Sequence, residues 1–286
     1  MRDANASSIL IVDDDPDIHR LLATALRDGN YLIEDEYDGL KALSLLQTKS
    51  FDLVITDVRM PGLDGLELLR KIREIRPATR VLVMTAEGTP ATVIRSLRDQ
   101  AFGYLTKPFS LDGAAETVEQ ALSARARQGD IEVLSATPQW ISLNLRCKLE
   151  IADRIIPFLR ELSTELSIED RENVGTAFRE LLMNAIEHGA GSDPNKTVRL
   201  DYMRTEKSIV YKVVDPGEGF SFSNLQHAAV SNDPEAPHQH CEVRKRLGLR
   251  PGGFGILVTK SLADELIYNE KGNEVLLIKY VSSPEN

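Results

Sequence analysis

Acidic residues and one lysine follow the apolar segments in the N-terminal half of the sequence. Asp13 and Asp14 come directly after one segment, Asp57 after another and Lys107 after a third, and Thr85 ends a fourth. Three carboxylates that converge without a counterion would repel one another, so this set predicts a bound divalent cation, and oxygen ligands favour Mg2+. The metal would neutralise a phosphoryl donor and leave one carboxylate free for nucleophilic attack, while Lys107 and Thr85 would stabilise the transferred oxygens. The pattern therefore predicts an aspartyl-phosphate site.

A second pair of polar residues lies in the C-terminal half, on a predicted helix. Glu180 and Asn184 are one helical turn apart, so a carboxylate and a carboxamide point the same way, while an i, i+3, i+4 apolar pattern buries another face. This pair suits a metal–nucleotide site in which Asn184 binds magnesium through its amide oxygen and Glu180 acts as general base. A solvated helix face is the commoner explanation of an isolated Glu and Asn pair, but the glycine-rich segments that follow favour the site.

Two glycine clusters follow this helix. Asp215 ends an apolar segment and precedes Gly217 and Gly219, which let a ligand approach the backbone. The Asp215 carboxylate would accept a hydrogen bond from an adenine amino group. The second cluster, which contains Gly253 and Gly255, opens a predicted helix whose free amides would bind phosphate. Together with the helix pair, these clusters predict ATP binding.

The elements that carry the first set of residues alternate regularly. From residue 8 to about residue 123, short apolar strands and amphipathic helices alternate five times, which predicts a doubly wound parallel sheet. The predicted strands are SILIV, YLIEDE, FDLVIT, RVLVM and FGYLT. Sites in open parallel sheets form at the carboxyl ends of the strands, so the acidic residues, Thr85 and Lys107 should meet in one cleft.

The rest of the chain predicts a different fold. Residues 125–139 lose regular apolar periodicity and are predicted to link a domain at 1–124 to one at 140–286. The second domain is predicted to be α+β with a mixed, mostly antiparallel sheet. Its predicted elements are a strand ISLNLRC, helices at 150–166 and 168–188, strands TVRLDYM and SIVYKVVD, a helix after Gly255 and a hairpin ELIYN/EVLLIKY.

Composition limits the class of protein. A length of 286 residues predicts two domains, and 42% hydrophobic with 27% charged residues is typical of soluble proteins. The sequence has neither an apolar run long enough for a membrane span nor the core of a signal peptide, so we expect a cytoplasmic protein with Cys147 and Cys241 reduced. The net charge of -10 argues against nucleic-acid binding driven by charge. Protein and nucleotide partners are therefore expected.

The N-terminal motifs resemble the response-regulator receiver family. The matching segments are VDDDP, TDVRMPGLDG, MTA and GYLTKPF, and the resemblance covers about residues 7–124. It implies a five-stranded flavodoxin-like fold and phosphate received from a sensor histidine kinase or phosphotransfer protein. The implied roles are phosphoacceptor for Asp57, metal binding for Asp13 and Asp14 together with Asp57, switch residues for Thr85 and Tyr104, and phosphate contact for Lys107.

The C-terminal motifs resemble the Bergerat-fold ATPases shared by gyrase-type and histidine-kinase proteins, and within them the anti-sigma serine/threonine kinases. ELLMNAIEHG, DPGEGF and GGFGILVTKSLADELIYNEKGNEVLLIK carry the resemblance over about residues 140–280. It implies an ATP site with Asn184 on magnesium, Glu180 as base and Asp215 on adenine, with Gly217, Gly219, Gly253 and Gly255 around the nucleotide. The implied substrate is a serine or threonine of an anti-anti-sigma (STAS) protein, with a sigma factor as a further partner. Both resemblances are compatible with a homodimer.

Three functions fit these features. The leading one is a kinase and anti-sigma switch controlled by Asp57, because the short linker cannot hold the two long helices of a sensor histidine kinase. The alternatives are an ATPase that phosphorylates a separate histidine protein in trans, and a non-catalytic module in which ATP creates a docking surface.

The predicted lid at 221–251 contains an unusual HQHCEVRKR segment. His238, His240 and Cys241 match no standard zinc spacing, so we do not predict a metal there.

Overall fold

The computed structural model describes residues 6–86, 88–123, 129–220, 239–246 and 253–281, and the side chains of His240 and Arg244 are not described. The chain divides into two compact units, Met1–Gly129 and Asp130–Asn286. Within the described ranges, no helix combines the length and the apolar composition needed for a bilayer crossing.

The first unit contains a five-stranded parallel sheet in the order β2-β1-β3-β4-β5. The strands are β1 (Ser7–Val12), β2 (Tyr31–Glu36), β3 (Leu53–Asp57), β4 (Arg80–Thr85) and β5 (Gly103–Thr106). The connecting helices are α1 (Pro16–Ala25), α2 (Gly39–Thr48), α3 (Gly65–Ile75), α4 (Pro90–Arg98) and α5 (Leu111–Ser123). Helix α1 packs against α5, and α2 packs against α3. The predicted doubly wound α/β fold is confirmed.

Side chains in the loops define where four of these helices begin. Asp15, Asp38, Asp64 and Thr89 occupy the N-cap positions of α1 to α4, and each accepts a hydrogen bond from a backbone N–H in the first turn. Such caps satisfy amides that have no partner inside the helix. The caps of α1 and α3 end the loops that follow Asp13 and Asp57.

The second unit is a six-stranded sheet in the order β10-β11-β9-β8-β7-β6. Its strands are β6 (Ile131–Thr137), β7 (Trp140–Arg146), β8 (Thr197–Arg204), β9 (Ser208–Val214), β10 (Glu265–Tyr268) and β11 (Glu274–Tyr280). The helices are α6 (Glu150–Leu162), α7 (Ile168–Asn184), α8 (Gln239–Arg246) and α9 (Gly255–Leu262). Helix α7 packs against both α6 and α9. The α+β prediction is confirmed, but the described strands pair antiparallel throughout, not in a mixed sheet.

The structure corrects the predicted linker at 125–139, because β6 (Ile131–Thr137) lies inside that range. This strand lies at the sheet edge and pairs only with β7 among the described strands, and its register shifts between Val133 and Ser135. A half-exposed edge strand with a bulge lacks sustained apolar alternation, so its sequence is typical of a loop.

Helix α7 also ends differently from the prediction of one helix over 168–188. It ends at Asn184 and continues as a π-helical segment, Ala185–Gly189, in which the Ala190 N–H donates to the Ala185 carbonyl at 2.9 Å. Single π turns are rare and concentrate at functional sites.

Candidate functional site

The acidic cleft of the first unit consists of Asp13, Asp57 and Lys107. Asp13 follows β1, Asp57 ends β3 and Lys107 follows β5. Lys107 Nζ donates to Asp13 Oδ2 and to Asp57 Oδ1, each at 2.6 Å. Asp13 Oδ2 and Asp57 Oδ1 share this one ammonium group, so they lie close together in space. The two residues are 44 positions apart in the chain. The structure thus brings together three residues that the sequence predicted to meet.

Burial and the contacts between opposite charges both shift pKa values in this cleft. It raises the pKa of Asp13, while the Lys107 ammonium and the Asp15 N–H oppose the shift. Burial also lowers the pKa of Lys107, but the two carboxylates outweigh it, so the pKa of this lysine is raised overall. The single positive charge of Lys107 therefore offsets only part of the negative charge of the two acids. The second oxygen of Asp57 accepts a hydrogen bond from the Arg59 N–H at 2.6 Å.

A glycine allows the backbone to pack closely behind Asp57. A Cβ atom on Gly65 would lie 1.9 Å from the Asp57 carbonyl oxygen, so only glycine fits the first residue of α3. The Gly65 N–H also donates to the Val58 carbonyl at 3.1 Å. The glycine that ends TDVRMPGLDG therefore supports the geometry of Asp57.

The remaining predicted residues of this unit differ in burial. Thr85 ends β4 and is buried, and Tyr104 is buried opposite Val83 in the β4–β5 register. Asp14 is exposed beside Asp13. Magnesium in proteins is commonly held by one or two carboxylates and several waters, so Asp13 and Asp57 fit this ion even though no group of three metal-binding side chains is preformed among the described residues.

A cavity of about 650 Å³ lies in the second unit, between the end of α7, the loop after β9, the start of α9 and the β10–β11 hairpin. This size is typical of ligand sites. All six residues predicted to bind magnesium or nucleotide line it: Asn184, Asp215, Gly217, Gly219, Gly253 and Gly255. Glu180 does not line the cavity but lies behind Gly255, where an added Cβ would be 2.7 Å from Glu180 Oε2.

Asp215 is held at the cavity wall by two glycines. The Gly217 N–H donates to Asp215 Oδ1 at 2.8 Å. A Cβ on Gly189 would lie 2.3 Å from Asp215 Cγ, so the π-helical segment can approach this carboxylate only because it ends in glycine. The sequence analysis did not assign Gly189 to the site, although the residue ends the ELLMNAIEHG motif.

Asp215→Asn is expected to raise the melting temperature of the nucleotide-free chain at pH 7. Burial raises the pKa of Asp215, with the Gly217 N–H and the Lys271 charge opposing. A raised folded-state pKa gives stability that is complete below the ordinary value of 3.8 and is lost as the pH rises through the folded value. Asparagine removes the buried charge and can still accept the Gly217 hydrogen bond.

The measurement is a melting series from pH 7 downward, in which the advantage of Asp215→Asn should shrink as the pH approaches 3.8. Glu218→Gln, at an exposed carboxylate in the same loop, is the control and should show no such trend. A melting temperature at pH 7 that is equal to or below that of the unsubstituted chain would contradict the expectation.

Two glycines allow the loop after β9 to pack closely against the β10–β11 hairpin. Gly219 has φ of +81° and an added Cβ would lie 2.0 Å from the Lys271 carbonyl oxygen. Reciprocally, Gly272 has φ of +77° and its added Cβ would lie 2.1 Å from the Phe220 carbonyl oxygen. The Lys271 ammonium also donates to the Gly217 carbonyl at 3.1 Å. This hairpin therefore shapes one wall of the cavity. The sequence did not predict this role for the hairpin.

Gly219→Ala is expected to destabilise the second unit by about 1 to 3 kcal/mol more than Gly191→Ala. Both glycines have positive φ and line the cavity, but no atom lies within 4 Å of a Cβ added to Gly191. The difference therefore isolates the clash with the hairpin. Urea unfolding measures it, and equal midpoints for the two variants would show that the hairpin does not restrict this loop.

The predicted lid lies mostly outside the described residues. Its described part, 239–246, forms α8, in which Cys241 is exposed. His238 is not described, and the described residues contain no cluster of histidine, cysteine and acidic side chains suited to a metal. No zinc site is proposed.

Curated proteins of known name are similar to part of this chain. Over 129 residues the chain is 40% identical to the transcriptional regulatory protein ZraR of Salmonella typhimurium (strain LT2), covering 45% of this chain and 29% of ZraR. The DNA-binding transcriptional regulator NtrC of Escherichia coli (strain K12) is 36% identical over 115 residues, covering 40% of this chain and 24% of NtrC. The chain thus spans less than a third of these relatives.

Solved structures are also similar to part of this chain. The chemotaxis response regulator CheY4 of Vibrio cholerae is 31% identical and covers 41% of this chain and all of its own, with a TM-score of 0.39. The BeF3-activated DrrB receiver domain is 28% identical and covers 42% of this chain and 99% of its own, with a TM-score of 0.39.

Two family comparisons account for most of the chain. The response regulator receiver domain family matches residues 9–119 and includes the whole acidic cleft. The histidine kinase-like ATPase domain family matches residues 146–279 and includes every residue lining the cavity. The chain therefore consists of a response regulator receiver domain followed by a histidine kinase-like ATPase domain.

Proposed function

We propose that this response regulator, phosphorylated on Asp57, controls an ATP-dependent serine/threonine kinase and anti-sigma-like output domain that acts on an anti-anti-sigma (STAS) protein. The supporting observation is the chain length between the units, since α5 ends at Ser123 and β6 begins at Ile131. The residues between them are too few for the two long helices that carry the phosphoacceptor histidine of a sensor kinase. The ATPase domain therefore has no such helices between it and the receiver.

The receiver domain takes phosphate from an upstream donor such as a histidine kinase. In the proposed step, an Asp57 carboxylate oxygen forms a bond to phosphorus as the donor's bond to phosphorus breaks. Magnesium, when held by Asp13 and Asp57 with Asp14 beside them, would supply charge neutralisation. Lys107, whose ammonium contacts both acids, would pair with the oxygens of the transferred phosphoryl group. Thr85 would donate a hydrogen bond to one of these oxygens.

The ATPase cavity supports the second step. Asp215 would accept a hydrogen bond from the adenine amino group, and the four predicted glycines would let the nucleotide approach the backbone. Asn184, in the cavity wall, would bind the magnesium of the nucleotide. Glu180, one turn earlier and set back from the cavity, would take the proton of the attacking serine or threonine hydroxyl as its oxygen bonds to the γ-phosphorus and ADP leaves.

A second candidate is phosphorylation of a separate histidine protein in trans, which is favoured by the histidine kinase-like family that residues 146–279 match. A third is a module in which ATP only orders a binding surface. The names of ZraR and NtrC describe transcriptional regulators, but the shared segment is less than a third of either protein, so we do not extend DNA binding to this chain.

Labelled ATP separates these candidates. The full chain is incubated with [γ-32P]ATP and either a purified STAS protein or a histidine phosphotransfer protein, with Asn184→Ala as the control. We expect acid-stable label on serine or threonine of the STAS protein, dependent on Asn184. Acid-labile label on the histidine protein would replace the proposal with the second candidate, and tight ATP binding without transfer would replace it with the third.

Phosphorylation of the receiver domain is expected to change the affinity of the output domain for ATP or for its partner. Coupling between two sites in one protein typically amounts to about 1 to 3 kcal/mol, so beryllofluoride at Asp57 is expected to change ATP or partner affinity by roughly 5- to 150-fold. Thr85 and Tyr104 are the proposed switch residues. Calorimetry with and without beryllofluoride measures the shift, and Asp57→Asn is the control that should show none. Identical affinities and kinase activity in both conditions would show that the domains are only tethered.

A further inference from the structure

His19 of α1 is buried although histidine is polar, and the sequence analysis assigned it no function. Its Nε2 lies 2.8 Å from the Asp13 carbonyl oxygen, and its Nδ1 lies 2.7 Å from Asp35 Oδ1. The ring also packs on Tyr37 at a centroid distance of 4.3 Å. One side chain therefore connects the end of β1 to the end of β2.

The contact with Asp13 has a defined direction. A carbonyl oxygen can only accept, so His19 Nε2 donates to the Asp13 carbonyl oxygen, while Nδ1 lies within hydrogen-bond distance of the Asp35 carboxylate. The His19 ring thus links the Asp35 side chain to the Asp13 backbone. Without a donor at Nε2, the Asp13 carbonyl would lose a buried partner, which is costly.

Asp13 is held from four directions in this arrangement. Its N–H donates to the Glu36 carbonyl at 3.2 Å, and its carbonyl accepts from His19. Its carboxylate accepts from the Asp15 N–H at 3.0 Å and from Lys107 at 2.6 Å. The backbone contacts both lead to β2, so β2 and His19 together orient the peptide from which the Asp13 and Asp14 side chains project.

We infer that His19 is a positioning residue for the magnesium site of the receiver domain, acting through the Asp13 carbonyl. Residues behind a metal ligand orient it, and their loss typically lowers metal affinity by about 10- to 100-fold. The inference depends on the proposed role of Asp13 in binding magnesium. It predicts an effect on the metal requirement of Asp57 phosphorylation and not on the chemistry of transfer.

A pair of substitutions separates the two ring nitrogens. His19→Gln places an amide nitrogen the same number of bonds from Cα as Nε2, so it can still donate to Asp13. His19→Asn does the same for Nδ1, so it keeps only the contact with Asp35. The magnesium dissociation constant of the unphosphorylated full chain is measured by calorimetry, together with acetyl phosphate labelling across magnesium concentrations and the melting temperature without metal.

We expect His19→Asn to weaken magnesium binding roughly 10-fold or more and to raise the half-saturating magnesium concentration to the same extent, with the rate at saturating magnesium retained. His19→Gln should restore most of the affinity. If His19→Asn does not fold, Asp35→Ala provides the second variant, because it removes the half-exposed carboxylate that contacts the far side of the ring, and it too should weaken magnesium binding.

Magnesium affinity equal to that of the unsubstituted chain in folded His19→Asn would overturn the inference and leave the proposed function intact. Equal losses in both histidine variants that follow their melting temperatures would overturn it in favour of a packing role. Absence of magnesium binding by the unsubstituted chain would overturn both the inference and the proposed metal site.

Discussion

Asp57→Asn is expected to abolish labelling of the full chain by acetyl phosphate in the presence of magnesium, a loss on the order of 10³-fold or more. Asparagine has nearly the same shape and can keep the hydrogen bond from the Arg59 N–H, but its amide is a poor nucleophile. The Lys107 ammonium would still be paired with Asp13, so the cleft should keep its fold. The loss would then report the missing carboxylate oxygen rather than unfolding.

Asp28→Asn is the matched control, since the Asp28 side chain is 90% exposed and precedes β2, away from the carboxyl ends of the strands. It should be labelled like the unsubstituted chain, and removing magnesium should suppress labelling of both. Label that persists in Asp57→Asn would place the acceptor on another residue and refute the proposed role of the cleft.

Asn184→Ala and Glu180→Gln are expected to affect the ATPase domain in different ways, although the residues are one turn apart on α7. Asn184 lines the cavity, so its loss should weaken magnesium-dependent ATP binding. Glu180 lies behind Gly255, so Glu180→Gln should leave ATP affinity largely unchanged and lower phosphoryl transfer by about 10²- to 10⁴-fold, as expected for a lost general base.

Calorimetric ATP titrations with and without magnesium, paired with single-turnover transfer rates, measure this difference. Glu187→Gln is the control, because this exposed glutamate lies in the π-helical segment that follows α7 and should change neither quantity. The proposed roles would be rejected if the Asn184 and Glu180 variants had equal ATP affinity and equal activity.

Much of the first domain was predictable because its signals are local. The predicted strand YLIEDE matches β2, and the other four strands lie within two residues of their predicted ends. Buried parallel strands are continuous apolar runs, and Asp and Thr caps mark the starts of the helices between them. Since the carboxyl ends of parallel strands meet at one edge, local patterns also predicted the meeting of Asp13, Asp57 and Lys107.

Short-range periodicity, turns and motifs predicted the two fold classes, the order of most elements, the meeting of Asp13, Asp57 and Lys107 and six of the residues that line the cavity. Only the tertiary structure showed that β6 joins the second sheet, since an edge strand with a bulge is stabilised by its partner β7 and not by its own pattern. Only it showed that Gly189 packs against Asp215 and that His19 bridges Asp13 and Asp35. Such contacts join residues on different elements, and their energies depend on distances that no local pattern encodes.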